Sequence, residues 1–142
     1  MESQKQPEPT EETERLYAQA IQLYERGRYE EAIPYAQQAL AMCEQAVGEH
    51  PDSAVLLNNL ALLYRSTGSY GKAEPLYQRA LAIYEKTVGP EHPDTITSVN
   101  NLAALYHITG AYTKAEPLYQ QALVVREQTL GLDHLDTAIS LN

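Results

Sequence analysis

The sequence predicts an all-α solenoid of stacked antiparallel helix pairs, and three observations carry that prediction. A residue string recurs at a spacing of about 42 residues; apolar residues in each copy fall on one helical face; glycine and proline punctuate the copies at matching places. Asn58-Asn59-Leu60-Ala61-Leu62-Leu63-Tyr64 returns as Asn100-Asn101-Leu102-Ala103-Ala104-Leu105-Tyr106. Lys72-Ala73-Glu74-Pro75-Leu76-Tyr77-Gln78 returns as Lys114-Ala115-Glu116-Pro117-Leu118-Tyr119-Gln120 at the same offset. A more divergent copy keeps Gly27, Tyr29, Ala32, Pro34 and Leu40 where the second has Gly68, Tyr70, Ala73, Pro75 and Leu81. A unit of this size cannot bury its apolar face alone, so neighbours must stack into one continuous core.

The elements follow in order. Met1 to Pro9 is polar and acidic and reads as a flexible tail (residues 1–9). The array occupies residues 10–142, with units at about 14–51, 52–93 and 94–135, and 136–142 as the start of a truncated fourth unit. In each first helix the pattern of Leu57, Leu60, Ala61 and Tyr64 marks one buried face. Asp52 and Asp94, each preceded by a proline, are the expected N-caps, because a short carboxylate accepts from the open amides of a first turn. The Thr-Gly pairs at 67–68 and 109–110 close the first helices. Second helices are expected from about Tyr70 to Val88 and from about Tyr112 to Leu130, burying Ala73, Leu76, Tyr77, Ala80 and Leu81 in the first case. Pro34, Pro75 and Pro117 fall inside them and predict a small bend or a later start. Gly89-Pro90-Glu91-His92-Pro93 ends a hairpin, and Asp136 to Asn142 repeats Asp94 to Asn100 as a new first helix.

Composition narrows the class of function. With 44% hydrophobic and 20% charged residues the chain has the make-up of a folded domain. Its net charge of −9 opposes nucleic acid and anionic membrane surfaces, so neither is an expected partner. No signal segment or spanning apolar run is visible, and Cys43 is the sole cysteine, which excludes an internal disulfide. A reducing, cytoplasmic setting is the expectation.

The pattern Gly68-x-Tyr70-x-x-Ala73, with Leu60, Ala61 and Tyr64 before it and Ala80-Leu81 after it, resembles the tetratricopeptide repeat. The long unit, the Asn-Asn-Leu-Ala and Ala-Glu-Pro-Leu-Tyr strings and the His-Pro-Asp-Thr linker are similar to the kind found in kinesin light chains and many bacterial repeat proteins. The resemblance implies a right-handed superhelix whose first helices line a concave groove for an extended peptide or a partner helix. It implies a protein-binding scaffold, not an enzyme. No heptad segment accompanies it here, so a motor-adaptor role is not inferred.

On that reading the groove candidates are Tyr17, Tyr24, Asn58, Asn59, Leu62, Arg65, Asn100, Asn101, Ala104 and His107, with Ile139 and Asn142 continuing the row. Asparagine has both a donor and an acceptor, so Asn59 and Asn101 can pair with the backbone of a bound strand. The alternative is that one asparagine of each pair bonds a neighbouring helix and only fixes packing. A free carboxylate is a poor ligand, because Arg65 is the only clear cation in the row and His107 a conditional second.

No catalytic residue, metal site or cofactor is expected. His50, His92 and His134 recur once per unit and read as turn residues bonding local backbone, not as zinc ligands. Glu11-Glu12 and Glu30-Glu31 suit the positive ends of helix dipoles. Cys43 has no evident activating histidine. The rival to a peptide-binding scaffold is a structural or assembly module: a spacer, a self-associating array joined through an open C-terminal end, or a consensus-like design without a specific ligand.

Overall fold

The computed structural model describes the backbone of residues 9–141 and the side chains of residues 10–129. The described residues form helices and no strand: α1 (Pro9–Glu25), α2 (Tyr29–Val47), α3 (Pro51–Ser66), α4 (Tyr70–Thr87), α5 (Pro93–Ile108) and α6 (Tyr112–Leu141). Each odd helix packs on the even helix after it, and α2 on α3 and α4 on α5 join the hairpins into a solenoid. The tail expected over residues 1–9 lies, but for the backbone of Pro9, outside the described residues.

The hairpin turns are built by glycine. Gly27, Gly68 and Gly110 have φ of 73°, 80° and 81°, where a side chain would be strained. The next residue then returns its amide to the helix behind it: Arg28 to Leu23, Ser69 to Tyr64 and Ala111 to Tyr106, each at 2.8 Å. These bonds satisfy carbonyls that a helix end leaves open.

The N-cap assignment needs correction. Helices α3 and α5 begin at Pro51 and Pro93, and the caps are His50 and His92, not Asp52 and Asp94. Proline lacks the amide that a first helical residue cannot use and has its φ preset, so it starts the helix one residue before the aspartate. The His50 Nδ1 accepts the Asp52 amide at 3.0 Å, and the His92 Nδ1 accepts the Asp94 amide at 3.1 Å. These histidines are thus turn residues bonding local backbone; the His134 side chain lies outside the described ones. Ser53 and Thr95, fully buried, donate to the carbonyls of Gly48 at 2.8 Å and Gly89 at 2.7 Å, which ties each linker down.

Of the outcomes expected at the prolines the later start does not occur, and the last helix does not end where the repeat places its end. Helices α2, α4 and α6 start no later than Tyr29, Tyr70 and Tyr112, with Pro34, Pro75 and Pro117 inside them. The carbonyls these prolines cannot serve belong to Glu30, Gly71 and Thr113, all exposed residues, so the lost bonds fall on the solvent side of each helix. Helix α6 does not stop near Leu130 to let a new helix begin at Asp136; it runs to Leu141. The reason is chemical: Leu132 and Leu135 stand where the preceding linker has Pro90 and Pro93, so every amide is present to continue the helix. Ile139 and Asn142 lie outside the described side chains.

The core runs along the stack. Leu57, Leu105, Val99 and Tyr77 are the large side chains sealed at its centre, and Ala32, Ala39, Ala54, Ala61, Ala73, Ala80 and Ala103 have no exposed surface. Alanine at these positions lets helix axes approach closely. Leu57, Leu60, Ala61, Ala73, Tyr77 and Ala80 are buried as the periodicity requires, while Tyr64, Leu76 and Leu81 are half-buried at the edges.

Candidate functional site

With one face of each first helix committed to the core, the rest of α1, α3 and α5 faces away from it. Tyr17, Asn58, Asn59, Leu62, Arg65, Asn100, Asn101 and Ala104 are half-buried there, and Tyr24 and His107 are exposed. The ten do not form one uniform surface.

Tyr17, Tyr24, Asn59 and Leu62 come together between α1 and α3. With Ile21, Leu56 and others they line an apolar pocket of about 250 Å³. The Asn59 side-chain amide donates to the Tyr17 hydroxyl at 2.8 Å across this pocket's edge. Tyr24 packs its ring against Tyr29, centroids 5.3 Å apart. A second pocket of about 300 Å³ lies toward the start of α1, and Tyr17 and Leu56 line both.

The step from α3 to α5 differs. Ser98, fully buried, sits with its Oγ 3.5 Å from the Asn58 Oδ1, and the two helices touch. Asn58 and Asn59 therefore each engage a neighbouring first helix, one forward and one back. Asn100 and Asn101 have no such partner among the described residues. Arg65 lies beside the Tyr77 hydroxyl of α4; burial pushes that hydroxyl's pKa up, and Arg65 draws it the other way. His107 meets the Tyr112 ring edge-on at 5.1 Å. The two basic candidates thus lean on aromatic side chains near the C-terminal ends of α3 and α5.

Sequence reasoning missed a repeated support. The Gln37 side chain on α2 donates to the Tyr64 hydroxyl at 2.8 Å, and Gln78 on α4 donates to the Tyr106 hydroxyl at 3.1 Å. Lys72 and Lys114 lie over the same two rings, 5.6 and 5.5 Å from the centroids. The recurrence of Gln37 and Gln78 was the signal. The pocket residues Leu56 and Leu63, two turns apart on α3, were also missed; they sit beside the predicted face, between core and groove.

Reactive chemistry finds little foothold. Burial pushes the Cys43 thiol up, with the Asp52 and Glu44 carboxylates adding to the effect, so the thiolate a nucleophile needs is disfavoured. Among the described residues no three histidine, cysteine or acidic side chains gather as a metal would require. No described helix is long and apolar enough to cross a membrane.

Comparison with known proteins adds to this geometry. A tetratricopeptide repeat family profile matches residues 12–86, 52–123 and 94–142. No curated protein sequence matches significantly. Among solved structures, BtubC (BKLC) from P. vanneervenii is similar at 26% identity and a TM-score of 0.81, over 89% of this chain and 50% of that one. A Podospora anserina chain of nearly identical TPR-like repeats, named as a kinesin light chain, is 25% identical with a TM-score of 0.76, over 87% of this chain and 59% of its own. The TPR domain of Arabidopsis FLU, at 17% identity and a TM-score of 0.73, is covered over 98% of its length by 84% of this chain and shares the fold. The chain thus spans about half the length of the first of these and six tenths of the second.

Proposed function

The chain belongs to the tetratricopeptide repeat family, and from that premise we propose that the wall formed by α1, α3 and α5 holds a segment of another protein. Arrays of this family generally mediate protein–protein interaction, and the fold is typically a non-catalytic scaffold. The observation that carries the finer reading is the solvent-open apolar pocket between α1 and α3, bordered by Tyr17, Asn59 and Leu62, with the half-buried Asn100 and Asn101 one unit further on. Apolar anchoring with a few placed polar groups is how peptide grooves bind. Arg65 and His107 offer too little charge to take up a buried carboxylate.

The test is quantitative affinity capture from a lysate of the source organism. Wild type is compared with Leu62→Ala/Asn100→Ala/Asn101→Ala, after thermal melts show both folded. Proteins retained by the wild type and released by the variant are expected; equal retention sinks the groove assignment.

A second reading has its own observation. On α6, Tyr119, Leu123 and Val124 are 41%, 54% and 51% exposed, an apolar strip with no described neighbour over it. It suits self-association of the array. Sedimentation across a hundredfold concentration range decides, since a monomer throughout rules this reading out.

A further inference from the structure

The two pockets beside Tyr17 specify more than a generic peptide. We infer that the groove between α1 and α3 takes an amphipathic helix of a partner protein, with two bulky apolar anchors seven residues apart and basic residues flanking them. The inference rests on the groove reading above and sharpens it to one class of ligand.

Spacing comes first. On α1 the pocket near the helix end is lined from Tyr17 to Glu25, with Ile21 midway, and the one near its start from Thr10 to Tyr17, with Glu14 near the middle. Seven helical residues separate them, about 10 Å at 1.5 Å per residue. A ligand helix presents side chains at that interval from positions i and i+7. Tyr17 lines both pockets and bonds Asn59 at 2.8 Å between them, so a small residue at i+3 or i+4 of the ligand suits the space over that pair.

Polarity decides between helix and strand. An extended segment brings one amide and one carbonyl per residue, and each must be paired when it leaves water. The polar groups on the wall of the Ile21 pocket are the Tyr17 and Tyr24 hydroxyls, the Asn59 amide and the Glu25 carboxylate, and the Tyr17 and Asn59 groups already bond each other. No row of donors and acceptors at strand spacing exists there. A helix satisfies its own backbone and offers only side chains, which is what an apolar wall accepts.

Charge sets the flanks. Glu25 stands exposed at one pocket; Glu14 and Asp52 stand exposed at the other, over a floor that includes Cys43, Val47 and Val55. Arg65, the nearby cation of α3, is turned to Tyr77. Together with the net charge of −9 this favours lysine or arginine beside the anchors.

The probe is a fluorescein-labelled model helix of about 18 residues, built from Ala, Gln and Lys with two leucines at i and i+7, a length that forms helix in part. Fluorescence anisotropy should show saturable binding to wild type. Ile21→Gln and Val55→Gln, both at accessible positions, should each weaken it about tenfold, and Glu14→Gln/Glu25→Gln should lower affinity chiefly at low salt. Peptides with the leucines five apart, or with a central proline, should not bind. The inference is overturned if the proline peptide binds as well as the helix, or if neither Ile21→Gln nor Val55→Gln changes binding while melts stay unchanged. Should the helix fail to bind while captured proteins still depend on Asn100 and Asn101, the helix is rejected and the broader groove reading stands. Failure of both rejects both.

Discussion

The step from α1 to α3 and the step from α3 to α5 stack equivalent units of one repeat, yet they end in different surfaces. At the first, Tyr17 reaches Asn59 and Leu56 lines two apolar pockets. At the second, Asn58 stands where Tyr17 stands at the first, and Ser98 occupies the position of Leu56, fully buried and close to Asn58. The turn glycines Gly27, Gly68 and Gly110 and the contact alanines Ala20, Ala61 and Ala103 do not differ between units. Divergence falls elsewhere, on the wall of the first helices and at core positions such as the one held by Cys43, Tyr84 and Arg126. In a repeat array the shared residues describe the scaffold, and the differences between units describe what each part of the scaffold recognises.

The most disruptive way to break that contrast is to remove the floor of the first step. Leu57 has no exposed surface and packs in the cluster joining the first two units. Leu57→Ala loses its transfer energy and leaves a cavity, an expected cost of about 2–5 kcal/mol in urea-denaturation stability. Because each unit leans on the next, the loss should spread beyond α3. Hydrogen exchange that stayed unchanged in α1 and α5 would show the two steps to be energetically separate.

A smaller change compares the steps directly. Tyr17→Phe removes the hydroxyl that accepts from Asn59 and leaves the ring in both pockets. A part-buried bond of this kind is worth about 1 kcal/mol net. Asn58→Ala deletes only the longer 3.5 Å contact with Ser98, at the limit of hydrogen-bond geometry, and should cost roughly half as much or less. Equal destabilisation by the two, measured by urea denaturation, would mean that the polar ridge at the first step has no special weight.

The repeat is what made the fold legible. The offset from Asn58 to Asn100 and the positions of Gly27, Gly68 and Gly110 fixed the hairpins without any structure, because left-handed glycine turns and one buried face per helix follow from local chemistry. The structure departs from the repeat where the residues of one copy do not match the next. Asp52 and Asp94 looked like caps by type, but Pro51 and Pro93 moved each helix start and gave the cap to histidine. The break after Leu130 was inferred from Gly89–Pro93, although Leu132 and Leu135 had removed both prolines. Periodicity also showed which residues of α3 face outward. It did not show the pockets, since whether Leu56 lines a cavity depends on how far α1 stands from α3, and spacing along one helix carries no such distance.

The smallest expected effect tests whether the second helices carry the same asymmetry. Arg79 of α4 pairs with Glu44 of α2 at 2.6 Å, and Lys86 of α4 with Glu49 of the linker after α2 at 3.2 Å. One unit later Gln121 and Gln128 replace Arg79 and Lys86, so the equivalent pairs cannot form. The Arg79 side chain is 53% and the Glu44 side chain 35% exposed, so solvent and salt screen the attraction and ordering two long side chains offsets much of it. Arg79→Gln, which makes the first step match the second, should therefore change stability by less than about 0.5 kcal/mol. That small cost should vanish in about 1 M salt, where the screening length falls to about 3 Å. A larger, salt-resistant loss would mean that the Arg79 stem packs between α2 and α4, and that the first two units are held together on both walls of the solenoid by contacts the third unit lacks.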